Sequence, residues 1–280
     1  MSLSVAHTIA SLQKQVGAWK AKGLTCAVVP TMGALHEGHL RLVEGGLQVA
    51  DRVLTTIFIN PRQFAAHEDL GRYPRDEEAD LAKLAAAGSH LVFMPTPQIM
   101  YPPGFTSMIH LEGPAKAGLE DKFRPQFFDG VATVVAKLFI CSGADYAMFG
   151  EKDYQQLKVV TRMAADLNIP IKVIGVATER EGDGLAMSSR NRYLTKAERN
   201  QATAIYKNLM QAAEKIRQGV KPQSATRAAA RSLTTLGFKV DYVTARNSGS
   251  LDVPQDESEP LRLIAAAWLG KTRLIDNIPV

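Results

Sequence analysis

An α/β fold, a doubly wound parallel sheet followed by a smaller C-terminal α+β domain, is predicted by three observations. Short apolar, partly β-branched runs recur near residues 26–29, 53–59, 91–94, 145–149 and 171–176, with helical periodicity between most of them. Two of these runs, the first and the fourth, feed a glycine turn and then an amphipathic helix. Beyond the loop Asp183–Leu194 the alternation stops, and two helical stretches precede three further strand-like runs.

A helix is expected from about Ala6 to Lys22, ahead of the strand Cys26-Ala27-Val28-Val29. The next helix runs from about Gly38, with Leu40, Leu42, Val43 and Leu47 available for its buried face. Asp76-Glu77-Glu78, behind Pro74, reads as the charged first turn of another. Tyr146-Ala147-Met148-Phe149 reads as a strand, and the helix after it carries Leu157, Val159, Val160 and Met163. The domain boundary falls in the segment 176–184, which sets the domains at 1–178 and 179–280. Thr195-Lys196-Ala197-Glu198 is a capping box opening a helix that continues to about Gln218. A second helix spans about 223–236, and strands lie near 239–245, 261–268 and 271–275.

With 280 residues, 46% hydrophobic and 22% charged, the chain is globular and long enough for two cores. No N-terminal stretch resembles a signal peptide and no apolar run reaches membrane-spanning length, so a membrane is not an expected partner. Two cysteines without paired spacing, Cys26 and Cys141, fit a reducing compartment and a cytoplasmic location. The net charge of +5 is modest and its Lys and Arg are scattered. That suits a soluble surface with one basic anion site, and nucleic acid is not needed as a partner.

The most informative segment is Pro30-Thr31-Met32-Gly33-Ala34-Leu35-His36-Glu37-Gly38-His39-Leu40. It lies between the carboxyl end of a strand and the amino end of a helix, where backbone N–H groups and the helix dipole favour a polyphosphate. The spacing from Gly33 to Gly38 matches a P-loop, but His39-Leu40 stands where that motif needs Lys and Ser or Thr. Taken alone, His36 and His39 admit two other readings. One is a core histidine beside a solvent-facing one; the other is a zinc site, since i, i+3 spacing puts both imidazoles on one helical face. No HExxH or CxxC motif accompanies them. Two later segments look built for the same anionic ligand. Gly150-Glu151-Lys152-Asp153 follows a strand, with Lys152 a mobile cation and Gln155 or Gln156 able to serve a polyhydroxy substrate. Asp183-Gly184-Leu185-Ala186-Met187-Ser188-Ser189-Arg190-Asn191-Arg192 offers two hydroxyls and two guanidinium forks that match phosphate oxygens.

PTMGALHEGHL, FINPRQF, YPRDEEADL, MFGEKDYQQL and DGLAMSSRNRYL, spanning residues 30–194, resemble the signature blocks of the pantothenate synthetase family. DYVTARN from Asp241 and TRLIDNI from Thr272 carry the resemblance through most of the remaining chain. It implies a Rossmann-like domain of the HIGH-signature nucleotidyltransferases. The implied activity joins (R)-pantoate to β-alanine with ATP, releasing AMP and pyrophosphate through a pantoyl-adenylate, on the way to coenzyme A.

Residue roles follow by match to that family. His36 and His39 take the HxGH positions on the phosphates, with His39 also a proton donor, and Lys152 joins them as the catalytic set. Met32, Gly33, Ala34, Leu35, Glu37 and Gly38 complete the first ATP segment, and Gly150, Glu151 and Asp153 the second. The backbone near Glu179 meets adenine, while Met187, Ser188, Ser189 and Arg190 form a KMSKS-like loop on a lid domain that closes over the β and γ phosphates. Gln63 and Gln156 hold pantoate, with Asn60 and Met32 lining its pocket. Magnesium bridges the triphosphate with Asp80 as its candidate outer contact, and a homodimer is expected.

Three departures from the family pattern stand out. Many members read RPGHFxGV where this chain has Arg124-Pro125-Gln126-Phe127-Phe128-Asp129-Gly130-Val131, so Phe127 fills the usual histidine position with a ring that neither donates nor titrates. Asp121 follows Glu120 where the family has glycine, and Ala79-Asp80 stands where some relatives carry adjacent acids.

Overall fold

The computed structural model describes residues 3–65, 68, 70–256 and 258–280. Its contacts divide the chain into two units, Met1–Glu151 with Gln155–Ala177 and Lys152–Tyr154 with Thr178–Val280.

The first unit is built on β1 (Ser4–Ala6), β2 (Cys26–Thr31), β3 (Arg52–Ile57), β4 (Leu91–Phe93), β5 (Tyr146–Gly150) and β6 (Lys172–Val176). Their spatial order is β1-β4-β3-β2-β5-β6, with every pairing parallel. The connecting helices are α1 (Ile9–Lys20), α2 (Glu37–Val49), α3 (Glu77–Ala86), α4 (Pro97–Met100), α5 (Glu120–Phe123), α6 (Phe127–Ser142) and α7 (Tyr154–Asp166). From β2 the chain works outward through β3 to β4, then returns across the sheet to lay β5 on the other side of β2. The order therefore reverses between β2 and β5, and the turns that leave these two strands open on the same edge of the sheet.

A parallel sheet covered on both faces needs strands apolar on both faces, and Cys26, Ala27, Val28 and Val29 are all fully buried. Helix α2 packs through Leu42, Val43 and Gly46. Leu47, expected on that face, is instead 40% exposed, because the contact runs through the small Gly46 against Val53 and Ala27. The expected first helix starts later, at Ile9 behind the N-cap Thr8, because residues 4–6 form an edge strand too short to show an alternating pattern. The expected strand 53–59 stops at Ile57, since Asn60-Pro61 opens a 3-10 turn over Pro61–Gln63.

The second unit packs α8 (Lys196–Ala202), α9 (Ala204–Arg217) and α10 (Pro222–Thr235) on an antiparallel sheet of β7 (Lys239–Asn247), β8 (Leu261–Leu269) and β9 (Thr272–Pro279), in that order. Its core joins Ile205, Leu209, Leu233 and Phe238 to Leu263 and Leu274. The Thr195 capping box forms as expected. The helix behind it breaks in two at Thr203, whose hydroxyl bonds the carbonyl of Asn200 at 3.1 Å and competes with the helix ladder.

Candidate functional site

The turn after β2 is shaped from within. Thr31 Oγ1 donates to the Thr56 carbonyl at 2.6 Å and accepts from Gly33 N at 3.3 Å. Gly33 and Ala34 both have positive φ, 83° and 52°, and this curl aims two successive N–H groups at one acceptor. The acceptor is the carboxylate of Asp80, 2.7 Å from Ala34 N and 2.8 Å from Leu35 N. One turn along α3, Lys83 Nζ donates to the Leu35 carbonyl at 2.7 Å, so α3 grips the turn by its donors and by its acceptor.

Asp80 is only 2% exposed. The residue expected as an outer contact of magnesium is thus engaged by two backbone donors of the turn, Ala34 N and Leu35 N. These bonds shape the turn. A Cβ on Gly33 would stand 3.1 Å from Asp80 Oδ2, so glycine fits the curl in size as well as in φ.

His36 ends the turn in extended conformation and N-caps α2, a 13-residue helix whose dipole points its positive end at the turn. His36 N donates to His39 Nδ1 at 3.3 Å, and the two rings lie 4.1 Å apart. While Nδ1 accepts this bond, the ring proton is carried on Nε2. Both rings are half-buried, Glu37 is exposed and Gly38 is half-buried. On the zinc alternative, no group of three or more His, Cys, Asp or Glu among the described residues is placed to hold a metal. Cys26 is sealed in β2, where burial pushes its thiol up to about 12.

Beyond β3, five residues make a polar corner. Asn60 Nδ2 donates to Gln63 Oε1 and to the Gly130 carbonyl, each at 3.1 Å, and Asn60 Oδ1 accepts from Tyr101 Oη at 2.7 Å and Arg62 N at 3.3 Å. Asn60, 1% exposed and expected to line the pantoate pocket, has filled its hydrogen-bonding capacity with protein partners and orients Gln63. Burial raises Tyr101 to about 12, which keeps it a neutral donor to Asn60. Gln63 Nε2 rests on Met32 Sδ at 3.2 Å, a weak acceptor.

Arg124 supports the same corner. It donates to the Gln63 carbonyl at 3.2 Å and to Glu68 at 2.5 and 2.9 Å, and its guanidinium lies 3.6 Å from the centroid of the Phe127 ring. The ring at the departed histidine position thus covers a cation instead of offering a donor. Asp121, the other departure there, accepts from Gly118 N, Leu119 N and Gln155 Nε2. Gln155 is buried and also bonds Pro114 O and Glu120 N, which leaves Gln156, half-buried on the first turn of α7, as the glutamine suited to a ligand.

Gly150 closes β5 opposite Val176, and Glu151 follows half-buried. Lys152 and Asp153 belong to the second unit, with Lys152 Nζ 3.9 Å from Asp153 Oδ2. In the same unit Glu179 O accepts from Met187 N at 3.0 Å, and an antiparallel bridge joins Arg180 to Ala186, so residues 179–187 fold as a small hairpin. Arg199 of α8 clamps it, bonding Glu181 at 2.6 Å and Asp183 at 2.8 Å; this bond holds the Asp183 carboxyl below its ordinary value. Ser188 caps the next turn through Arg190 N at 3.3 Å, with Ser189 buried and Arg190 half-buried. Sequence reasoning missed the supporting residues Lys83, Tyr101, Arg199 and Gly130. Only the Asp80/Lys83 spacing of i, i+3 left a trace, and that reads equally as an exposed helical pair.

The chain matches the family described as Pantoate-beta-alanine ligase over residues 4–279. It is 52% identical to the pantothenate synthetase of Rhodopseudomonas palustris strain BisA53 over 277 residues, covering 99% of this chain and 98% of that protein. Likeness to the pantothenate synthetase of Caulobacter vibrioides is 52% over 281 residues, again 99% and 98%. Among solved structures, the pantothenate synthetase of Thermus thermophilus superposes with a TM-score of 0.91 at 42% identity over 98% of both chains. The pantoate-beta-alanine ligase of Francisella tularensis, complexed with beta-gamma ATP and β-alanine, gives 0.85 at 31% identity over 99% of this chain and 98% of that one.

Proposed function

This chain belongs to the pantoate-beta-alanine ligase family, and we propose that His36, His39, Lys152, Ser188, Ser189 and Arg190 bind the ATP phosphates while Gln63 and Gln156 bind pantoate. The reaction is the ATP-dependent condensation of pantoate with β-alanine. A pantoate carboxylate oxygen attacks the α-phosphorus, and pyrophosphate leaves with the electrons of the broken P–O bond. The amine of β-alanine then attacks the acyl carbon, the C–O bond to AMP breaks, and the nitrogen releases a proton. The first step brings two anions together, so donors and cations do most of the work.

The reversal of strand order between β2 and β5 carries this reading, because it sets the His36 turn at the crevice where α/β sheets take nucleotides. His39, with Nδ1 accepting from His36 N, offers Nε2–H to an oxygen gaining charge toward pyrophosphate. Gln63 has its amide oriented by Asn60 and its Nε2 on a thioether; a pantoate hydroxyl in place of that sulfur makes the stronger bond. Lys152 supplies a point charge and Arg190 a fork to phosphate oxygens. In the first unit Met32, Gly33, Glu37, Gly38, Gly150 and Glu151 are also assigned to ATP, and in the second Asp153, Met187 and, for adenine, the Glu179 backbone. By this assignment residues 1–178 bind nucleotide and pantoate, and 179–280 form the domain that carries the serine–arginine loop.

Magnesium is assigned to the nucleotide. Mg2+ would enter as MgATP, and Asp80, whose two oxygens accept from Ala34 N and Leu35 N, would serve as an outer contact only. A cytoplasmic homodimer completes the proposal, and light scattering at micromolar protein that returns only the monomer mass refutes the dimer. Among the described residues no helix is long and apolar enough to cross a membrane.

AMP release from ATP and Mg2+, with pantoate and β-alanine supplied singly and together, tests the assignment. Turnover needing both, and falling at least about 10²-fold in His39→Ala with the melting temperature little changed, supports it. A His39→Ala enzyme that loses stability and activity in step shows a structural histidine and overturns the role.

A further inference from the structure

Two consecutive buried polar residues on β9 are unused by the chemistry above, and each reaches a segment assigned to phosphate. Asn277, 2% exposed, donates through Nδ2 to the carbonyl of Lys152 at 2.9 Å and accepts from Arg262 Nε at 2.7 Å. The Arg262 guanidinium covers the Tyr154 ring at 4.0 Å, and Tyr154 Oη donates to the Ser248 carbonyl at 2.7 Å. The Lys152–Tyr154 turn is therefore fastened at both ends, by backbone at Lys152 and by ring and hydroxyl at Tyr154. Asp276 meets Arg180 through two bonds, of 2.7 and 2.9 Å. Arg180 in turn lies over the Tyr206 ring at 3.9 Å and donates to the Gly184 carbonyl at 3.0 Å, at the tip of the hairpin that leads into Ser188 and Ser189. A Cβ on Gly184, whose φ is +95°, would stand 2.6 Å from the Tyr206 ring, so the hairpin tip sits directly on its support.

β9 is an edge strand, and the same residues close its edge: Asn277 N donates to Asp276 Oδ1 at 2.7 Å and Arg180 Nη2 to the Asn277 carbonyl at 3.4 Å. Closing an edge does not require a buried carboxylate paired through two bonds to a half-buried guanidinium; such a pair fixes one geometry. We propose that Asp276 and Asn277 are positioning residues that hold the Lys152 turn and the Glu179–Arg190 segment to a single strand, and so set the spacing of Lys152 from Ser188, Ser189 and Arg190. This rests on the phosphate roles assigned above.

Asn277→Asp isolates the contact, because the new carboxylate still accepts from Arg262 but no longer donates to Lys152 O. Expected is a loss of about tenfold in kcat/KM for ATP, the worth of one buried hydrogen bond, with the KM for pantoate within about twofold of wild type. In a Lys152→Ala background Asn277→Asp should change kcat/KM for ATP by less than about twofold, since both act through one group. Effects that multiply in the two backgrounds overturn the proposal. Amide hydrogen exchange over residues 150–156 reads the anchor without activity: faster exchange in Asn277→Asp supports it, and unchanged exchange overturns it. If Lys152→Ala alone leaves turnover intact, the phosphate role of Lys152 falls, while the exchange result still decides the anchor. Tyr154→Phe, which keeps the ring under Arg262 and removes only the bond to Ser248, is the milder second variant; it should also speed exchange in that segment, and no change there counts against the anchor.

Discussion

Gly130→Ala sets helix propensity against a backbone contact, and the structure decides which prevails. Gly130 lies within α6, where alanine is favoured by about 1 kcal/mol. A Cβ built there would stand 2.3 Å from the carbonyl oxygen of Arg62, 2.6 Å from its carbon and 2.9 Å from Gln63 N. All three atoms are backbone, so no rotamer change relieves them, and the 3-10 turn must move away from α6 by about 1 Å to regain ordinary contact. Overpacking of this kind costs about 1–3 kcal/mol. The shift also stretches the 3.1 Å bond from Asn60 to the Gly130 carbonyl, worth about 1 kcal/mol. The net is a destabilisation of about 2 kcal/mol, or a melting temperature lower by about 4–8 °C. Because the displaced residues are Arg62 and Gln63, the KM for pantoate should rise while that for ATP changes little. Thermal unfolding and steady-state kinetics measure both. A melting temperature that rises shows propensity outweighing the contact and refutes the reasoning; a fall with equal change in both KM values refutes the link from Gly130 to Gln63.

Three further outcomes are expected. Asp80→Ala leaves the N–H groups of Ala34 and Leu35 without their acceptor, at about 1–3 kcal/mol each, and activity should fall while the Mg2+ concentration for half-maximal rate stays put; a shifted Mg2+ dependence would make Asp80 a direct contact of the metal. Phe127→Ala uncovers the Arg124 guanidinium and should weaken its hold on the Gln63 carbonyl, with stability lower by about 0.5–2 kcal/mol and a higher KM for pantoate; an unchanged KM shows that the ring only packs. His110 is raised above its ordinary value, first by its hydrogen bond to Asp129 and then by the charge of that residue, so its contribution to stability is complete below the unfolded value near 6.5 and is lost as pH climbs through the raised one. The melting temperature should slope downward across that window in the wild type and less so in His110→Gln; equal slopes refute the linkage.

What the sequence made legible is what repeats locally. Strands of Val, Ile and Ala announce a sheet buried on both faces, and a glycine turn after β2 and again after β5 announces the two crossings on either side of the strand-order reversal. The Thr195 box was readable because its two partners stand three residues apart. Bonds between distant segments leave no such mark. Asp80 meets Ala34 across 46 positions, and a carboxylate in the first turn of a helix looks the same whether it faces solvent, a metal or a curled backbone. Asn277 meets Lys152 across 125 positions, and no periodicity reports which carbonyl a buried carboxamide will find.

The same distinction explains why composition at the site is a better guide to chemistry than to contact. His36, His39, Lys152 and the serine–arginine loop could be named from residue type and from their place at strand ends and turns. Which groups face a ligand and which hold the others in place could not be read that way. Asn60 and Gln63 are equally polar, three residues apart on one turn, and both looked suited to a hydroxylated acid. The fold separates them by saturation: Asn60 has four protein partners, whereas Gln63 Nε2 rests on a sulfur. A donor on a weak acceptor is the one a substrate can claim with net gain, since the bond it gives up is worth less than the bond it makes. Asn60→Ala should therefore harm pantoate binding through Gln63, and its effect should shrink once Gln63 has already been replaced by alanine, whereas two direct ligand contacts would lose affinity in proportion at each step.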